Sequence, residues 1–193
     1  MTSANSELQP CPWASGDLYL AYHDNEWGVP CVDRVRLFEK LCLEGQQAGL
    51  SWITVLKKRP VYRQRFHGFE PEKVAAMSDA DIESCLQDAG LIRHRGKLEA
   101  IRLNAQAWLA AEEQGTDMVQ WLWSYVGGEP VINHLASLSD APAQTAQSQA
   151  MSKALKKMGF RFVGPTTCYA FMQSMGMVND HLVTCPCHPQ NLA

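Results

Sequence analysis

No stretch of this chain alternates apolar and polar residues for long, and that constrains its fold more than any other feature. A half-buried sheet needs a two-residue period, whereas apolar residues three and four apart mark one face of a helix. Only the pair Val131-Ile132 suggests a small strand. The clearest helix runs from Arg95 to Gln114, with Leu98, Ile101, Ala105, Trp108 and Leu109 on one face. Leu37, Leu41, Leu43, Leu50 and Ile53 fit helical spacing from Leu37 to Leu56, with Gly45 and Gly49 as weak points. Short helices are expected over Asp79–Gln87, capped by Ser78 and ending near Gly90, and over Met118–Tyr125, stopped by Gly127 and Gly128. The Ser-, Ala-, Thr- and Pro-rich stretch Ser139–Gln149 reads as an exposed loop, with Ser148 as cap of a helix over Ala150–Met158; Pro165–Met175 is a further helix. The fold class is all-α, with short loops joining antiparallel neighbours.

The 193 residues suffice for one domain. Residues 11–193 are expected to form it, as two lobes sharing one core, after a loose tail over residues 1–10. No apolar run reaches the roughly 18 residues of a membrane helix. The polar start has no secretory pattern, so the cytoplasm is the expected location. A formal charge of −3 argues against coating nucleic acid by charge alone, but not against one local basic face. The seven cysteines suggest no disulfide framework, and in a reducing compartment Cys with His points to metal.

The segment from Lys153 to Thr167 carries more specific information. A helix ends at Gly159, a tight turn spans Phe160–Gly164, and Pro165 suits the first turn of the next helix. Gly164 would let the backbone approach a phosphate, with the free amides of the new helix pointing at it. Lys153, Lys156, Lys157 and Arg161 add positive charge. These are the properties of a helix-hairpin-helix clamp, which holds a nucleic-acid backbone without reading sequence. They are equally those of an ordinary αα-turn with a solvated lysine face.

Cys11 and His23 lie near one end of the chain, and His181 and Cys185, four residues apart, near the other. Two such pairs can complete a tetrahedral Cys₂His₂ zinc site that staples the termini and leaves no open position for water. Cys31, Cys187 and His188 are rival ligands, and buried thiols with solvated histidines are the alternative.

Tyr19, Tyr22, Trp27 and Trp52 surround a run containing Glu44. Flat aromatic walls with one carboxylate could hold an extruded base, the carboxylate accepting from an exocyclic amine and the rings favouring a cationic base. The same residues also suit a plain core with an exposed glutamate. His23, Asp24 and Glu26 form a further cluster, which lacks an obvious nucleophile.

Tyr22-His-Asp-Asn-Glu-Trp-Gly-Val-Pro30 and Leu43-Glu-Gly-Gln-Gln-Ala-Gly-Leu-Ser-Trp-Ile-Thr-Val-Leu-Lys57 resemble the signature of the bacterial 3-methyladenine DNA glycosylase I family. Asp88–Lys97, the Gly159–Gly164 hairpin and Val178-Asn-Asp-His181 continue the resemblance, which runs from Cys11 to about Cys185. It implies the helix-hairpin-helix glycosylase fold, with one structural zinc on Cys11, His23, His181 and Cys185 joining the terminal segments. The implied substrate is 3-methyladenine in double-stranded DNA, bound by a monomer and excised in base-excision repair. Glu44 would bind the adenine edge and lend electrostatic help to catalysis. Tyr22 and Trp52 would stack on the base, with Tyr19 beside them. The turn Gln47-Ala-Gly-Leu50, with Gly49, would wedge into the duplex. Gly159, Arg161, Gly164 and Thr166 would grip phosphates.

Two departures from the wider superfamily bear on chemistry. Pro165, Thr166 and Thr167 follow Gly164 where strand-cutting relatives carry a lysine, so the enzyme is expected to be monofunctional and to leave an abasic site. Asn179 stands at the usual catalytic aspartate, with Asp180 one residue later, so that carboxylate is expected to be missing. A 3-methylated adenine is already cationic and needs no protonation to leave, which allows catalysis largely through binding. A non-catalytic DNA-binding module and a zinc protein unrelated to DNA are the competing readings.

Overall fold

The structure, a computed structural model, describes residues 8–192. Most of the expected tail therefore lies outside the described residues; at its end the Gln9 amide donates to the Thr184 carbonyl at 2.9 Å. Among the described residues the α-helices are α1 (Asp17–Asn25), α2 (Arg34–Gln46), α3 (Trp52–Arg65), α4 (Pro71–Ala75), α5 (Asp79–Leu86), α6 (Arg95–Glu113), α7 (Met118–Ser124), α8 (Ala146–Lys157) and α9 (Pro165–Ser174). Two short strands, β1 (Val131–Ile132) and β2 (Val178–Asn179), pair in parallel, so the fold is mostly rather than wholly helical.

α2 is the central element. Leu37, Phe38, Leu41, Cys42 and Leu43 are buried, and so are the polar Glu39, Lys40, Glu44 and Gln46. A helix buried all round must be enclosed by other elements, and α2 packs against α3, α6, α7 and α9. The α6 stripe closes the core with Leu98, Ile101, Ala105 and Trp108, and Phe38 meets the Trp108 ring edge-on at 5.5 Å. Full burial of each such side chain stabilises the fold by roughly 1.5–3 kcal/mol.

The structure corrects two local expectations. The helical pattern over Leu37–Leu56 is two helices, α2 and α3. Gly49 takes φ +80°, and the Leu50 amide folds back onto the Gln47 carbonyl at 2.6 Å, which closes a turn instead of continuing the helix. The cap of α8 is Thr145, not Ser148. The Thr145 side chain accepts from the Ser148 amide and the Ser148 hydroxyl from the Thr145 amide, a reciprocal capping box. The helix thus begins earlier than expected, inside the stretch read as loop.

β1 and β2 bring residues distant in sequence to one wall. Val131 pairs with Val178 and Ile132 with Asn179, and a bridge joins Leu135 to Leu182. This register sets Asn133 beside Asp180 and fixes the backbone that carries His181.

Candidate active site

Three elements converge on one pocket of about 250 Å³. α1 contributes Tyr19 and Tyr22, α2 and its following turn Glu44 and Gln47, and α3 its first residue, Trp52. Leu138, Ala141, Ala170, Gln173 and Asp180 also line the pocket. The expected base-binding residues are therefore brought together. Tyr22 and Trp52 are adjoining walls, with ring centroids 5.6 Å apart and planes tilted by 43°. The buried Trp52 indole N–H has no acceptor among the described residues. An unmet buried donor costs about 1–3 kcal/mol, so this one is set up for an acceptor that arrives with a ligand or with water.

Glu44 is buried and paired. The Lys40 ammonium, one helical turn earlier, lies 3.2 Å from its carboxylate, donates to the Tyr22 hydroxyl at 2.6 Å and sits 3.2 Å from the centre of the Trp52 ring. Lys40 does not line the pocket but backs three of its walls. Burial pulls its pKa down to about 8, against the opposing pull of Glu44. Burial, followed by the Glu44 charge, pushes the Tyr22 hydroxyl well above its usual range. Lys40 was not legible in the sequence, where it resembles any solvated lysine on an amphipathic helix. Trp13 also escaped notice. Its ring lies 5.0 Å from Tyr19, 4.9 Å from Trp27 and 5.1 Å from His23, joining the pocket to the terminal cluster.

The expected wedge, Gln47 to Leu50, stands beside the pocket, with Gly49 exposed and Leu50 41% exposed. Its base is held by Lys97, whose ammonium donates to the carbonyls of Gln46 at 2.9 Å and Ala48 at 2.6 Å. A cation on the carbonyls at a helix C-terminus also opposes the helix dipole.

The hairpin between α8 and α9 places Gly159, Arg161, Gly164 and Thr166 along one edge. Gly159 takes φ +100°, the conformation that ends α8. Nothing but the Thr167 hydroxyl lies near a side chain built at Gly164, so its backbone faces open space ahead of the first-turn amides of α9. Arg161, Lys153, Lys156 and Lys157 are all exposed. The turn is fixed from within: buried Asn104 of α6 accepts from the Arg161 amide at 2.7 Å and donates to the Arg161 carbonyl at 3.2 Å. The Ser152 hydroxyl donates to the Val163 carbonyl at 2.6 Å. Gly45, read as a weak point of its helix, allows the hairpin to reach α2. A side chain there would lie 3.0 Å from the Phe162 Cβ and 3.1 Å from the Phe162 carbonyl oxygen. Pocket and hairpin are thus locked one residue from Glu44.

The ligand atoms of Cys11, His23, His181 and Cys185 lie within 4.8 Å of one another, and all four residues are buried. Cys11 Sγ is 3.7 Å from His181 Nδ1, and Cys185 Sγ is 3.5 Å from both His23 Nε2 and His181 Nδ1. A tetrahedron with metal–ligand bonds of 2.0–2.3 Å has edges of about 3.6 Å, so the spacing fits a metal ion. The remaining imidazole nitrogens are engaged, His23 Nδ1 with Asp24 at 2.7 Å and His181 Nε2 with the Trp27 carbonyl at 3.0 Å. Such outer contacts fix the tautomer and aim the free nitrogen inward. The His181–Cys185 segment is tightly turned rather than helical. Of the rival ligands, Cys31 lies in the main core. His188 Nε2 bonds the Asn133 carbonyl at 3.0 Å, while Cys187 lies with His23 and Asp24 in a second, more exposed cluster. In the His23–Asp24–Glu26 run, Arg59 engages Glu26 with two bonds of 2.6 and 2.7 Å.

An aromatic pocket with a buried carboxylate, joined to a helical hairpin, has the parts that holding a single base drawn out of a duplex requires. The chain belongs to the methyladenine glycosylase family, whose model matches residues 13–188. It is 58% identical to DNA-3-methyladenine glycosylase 1 of Escherichia coli over 95% of this chain and 99% of that protein. It is also 58% identical to DNA-3-methyladenine glycosylase of Haemophilus influenzae, over 92% and 96%. A crystal structure of 3-methyladenine DNA glycosylase I superposes with a TM-score of 0.92 at 59% identity, covering 94% of this chain and all of that one.

Proposed function

We propose that this protein is a DNA glycosylase that hydrolyses the N-glycosidic bond of 3-methyladenine in alkylated duplex DNA, opening base-excision repair. The observation that carries this reading is the junction of pocket and hairpin at Gly45 and Phe162, which ties a base site to a phosphate grip. In this reading Tyr22 and Trp52 stack on the extruded base, Tyr19 borders it, and Glu44 accepts from the adenine amine. Gln47, Gly49 and Leu50 fill the gap in the duplex, and Gly159, Arg161, Gly164 and Thr166 hold the backbone. Glu44 also favours a cationic base, although Lys40 offsets much of its charge.

The cationic base departs without protonation, so the protein need only bind the separating base and sugar better than the intact nucleotide. No amine follows Gly164 to attack the sugar, so water completes the reaction and an abasic site remains. Zinc is the ion that suits two thiolates and two imidazoles, and with four protein ligands it serves structure. Bound, it would crosslink the two ends of the chain behind Trp13 and Trp27. A cytoplasmic monomer acting on double-stranded DNA completes the reading.

An end-labelled methylated duplex tests it. Strand breaks should appear only after alkali. Breaks before alkali, or a covalent adduct trapped by borohydride, would overturn the hydrolytic mechanism. No breaks beyond the protein-free control, even after alkali, would overturn the glycosylase reading.

A further inference from the structure

Asp180 is the second buried carboxylate of the pocket wall, and its surroundings differ from those of Glu44. The Tyr169 hydroxyl and the Gln173 amide donate to its Oδ2 at 2.6 and 2.7 Å, and the Asn133 amide donates to Oδ1 at 2.7 Å. All three donors are uncharged groups, so they satisfy the carboxylate oxygens without placing an opposite charge beside them. Burial, followed by the hydrogen bond to Asp180, pushes the Tyr169 hydroxyl up. Among the described residues no lysine, arginine or histidine forms an ion pair with Asp180, whereas Glu44 has Lys40 at 3.2 Å.

Position adds to charge. Asp180 lines the same pocket as Tyr22 and Trp52, together with Ala170 and Gln173 of α9. That helix begins at the Gly164 hairpin. In the glycosylase reading, with the phosphates at the hairpin and the base on the aromatic rings, the sugar between them would lie in the pocket that Asp180 lines.

We propose that Asp180 supplies the uncancelled negative charge that stabilises the sugar cation formed as the glycosidic bond breaks. The proposal rests on the glycosylase reading and gives that site a second acidic group with a separate task. The C1′–N9 bond breaks with both electrons leaving on the cationic base, which departs neutral. Positive charge passes to C1′ and the ring oxygen. Water then adds to C1′ and loses a proton to solvent. Asp180 takes up no proton; it favours the state in which charge has moved from base to sugar. Asn179 occupies the usual aspartate position, and the neighbouring residue takes over the electrostatic part of the task.

The test uses zinc-loaded full-length protein and its Asp180→Asn and Tyr169→Phe variants, each checked for metal content and cooperative melting. Single-turnover release of 3-methyladenine should slow about 100-fold in Asp180→Asn, the scale of losing one preorganised electrostatic contact. Tyr169→Phe disturbs the same hydrogen-bond cluster but keeps the charge, and should slow release far less. Binding is then compared for duplexes carrying a protonated pyrrolidine or a neutral tetrahydrofuran abasic analogue. The wild-type protein should prefer the cationic duplex, and Asp180→Asn should lose that preference while binding the neutral duplex as before. A wild-type protein without the preference would overturn the proposal even if Asp180→Asn fails to fold. Equal loss of affinity for both duplexes in Asp180→Asn, or an unchanged release rate, would overturn it as well. Failure of the wild-type protein to release any 3-methyladenine would count instead against the glycosylase reading.

Discussion

The Lys40 ammonium lies 3.2 Å from the centre of the Trp52 ring, on a side chain that does not line the pocket. A cation held against a pocket wall, bonded to Tyr22 and Glu44, fixes three pocket-lining groups at once. The same burial that fixes it lowers its pKa from 10.5 to about 8. Below pH 8 both folded and unfolded chains carry this proton, and the cost of the buried charge is constant. Between about pH 8 and 10.5 the unfolded chain holds more protons at this site, so its contribution makes stability rise with pH. Urea unfolding of wild type and Lys40→Met should therefore diverge in that window, with wild type gaining relative to the variant. Parallel pH profiles would contradict the assigned burial.

Gly45→Ala should weaken DNA binding more than base binding. The added methyl meets the Phe162 backbone and Cβ at about 3 Å, so hairpin and helix must separate. Overpacking of this kind costs about 1–3 kcal/mol. Urea denaturation should show that loss, and fluorescence anisotropy should show weaker binding to duplex DNA. Quenching by free 3-methyladenine should change little.

Asn104→Ala should have a related effect without a clash. It removes the two hydrogen bonds that hold the Arg161 amide and carbonyl, a loss of about 0.5–1.5 kcal/mol for each. Amide hydrogen exchange should rise at the 160–164 turn while the 47–51 turn stays protected.

Stripping the metal should destabilise the whole chain, because the four ligands draw on both ends of the sequence. Binding of structural zinc contributes about 10–16 kcal/mol in apparent terms in small zinc-finger peptides. Metal analysis should find one zinc per chain, and Cys185→Ser should lose both the ion and several kilocalories per mole of stability. Unchanged melting after complete chelation would contradict a structural role.

Much of this arrangement was legible in the sequence because it follows from local rules. Glycines at 159 and 164 with Pro165 suggest a hairpin, and Cys–His pairs at opposite ends suggest a metal site, though an ordinary turn and rival ligands fit as well until the family resemblance chooses between them. The missing parts depend on contacts that spacing cannot encode. Lys97 reaches carbonyls about fifty residues away, and Asn104 holds a turn 57 residues on. Lys40 and Asp180 are ordinary surface residue types, and only the enclosure of α2 and the β1–β2 register bury them. The break after α2 was hidden because apolar residues at helical spacing stand on both sides of Gly49. The cap of α8 was misplaced because Thr145 and Ser148 both serve in one capping box.

The most direct test of the central claim is chromatography of the bases released from methylated duplex DNA by the pure, zinc-loaded protein. The account predicts free 3-methyladenine in excess of the protein-free control, 7-methylguanine at the control level, and loss of release in Glu44→Ala and Trp52→Ala. No release of 3-methyladenine by folded, metal-replete protein would contradict it, and would leave the pocket and hairpin as a binding module without catalysis.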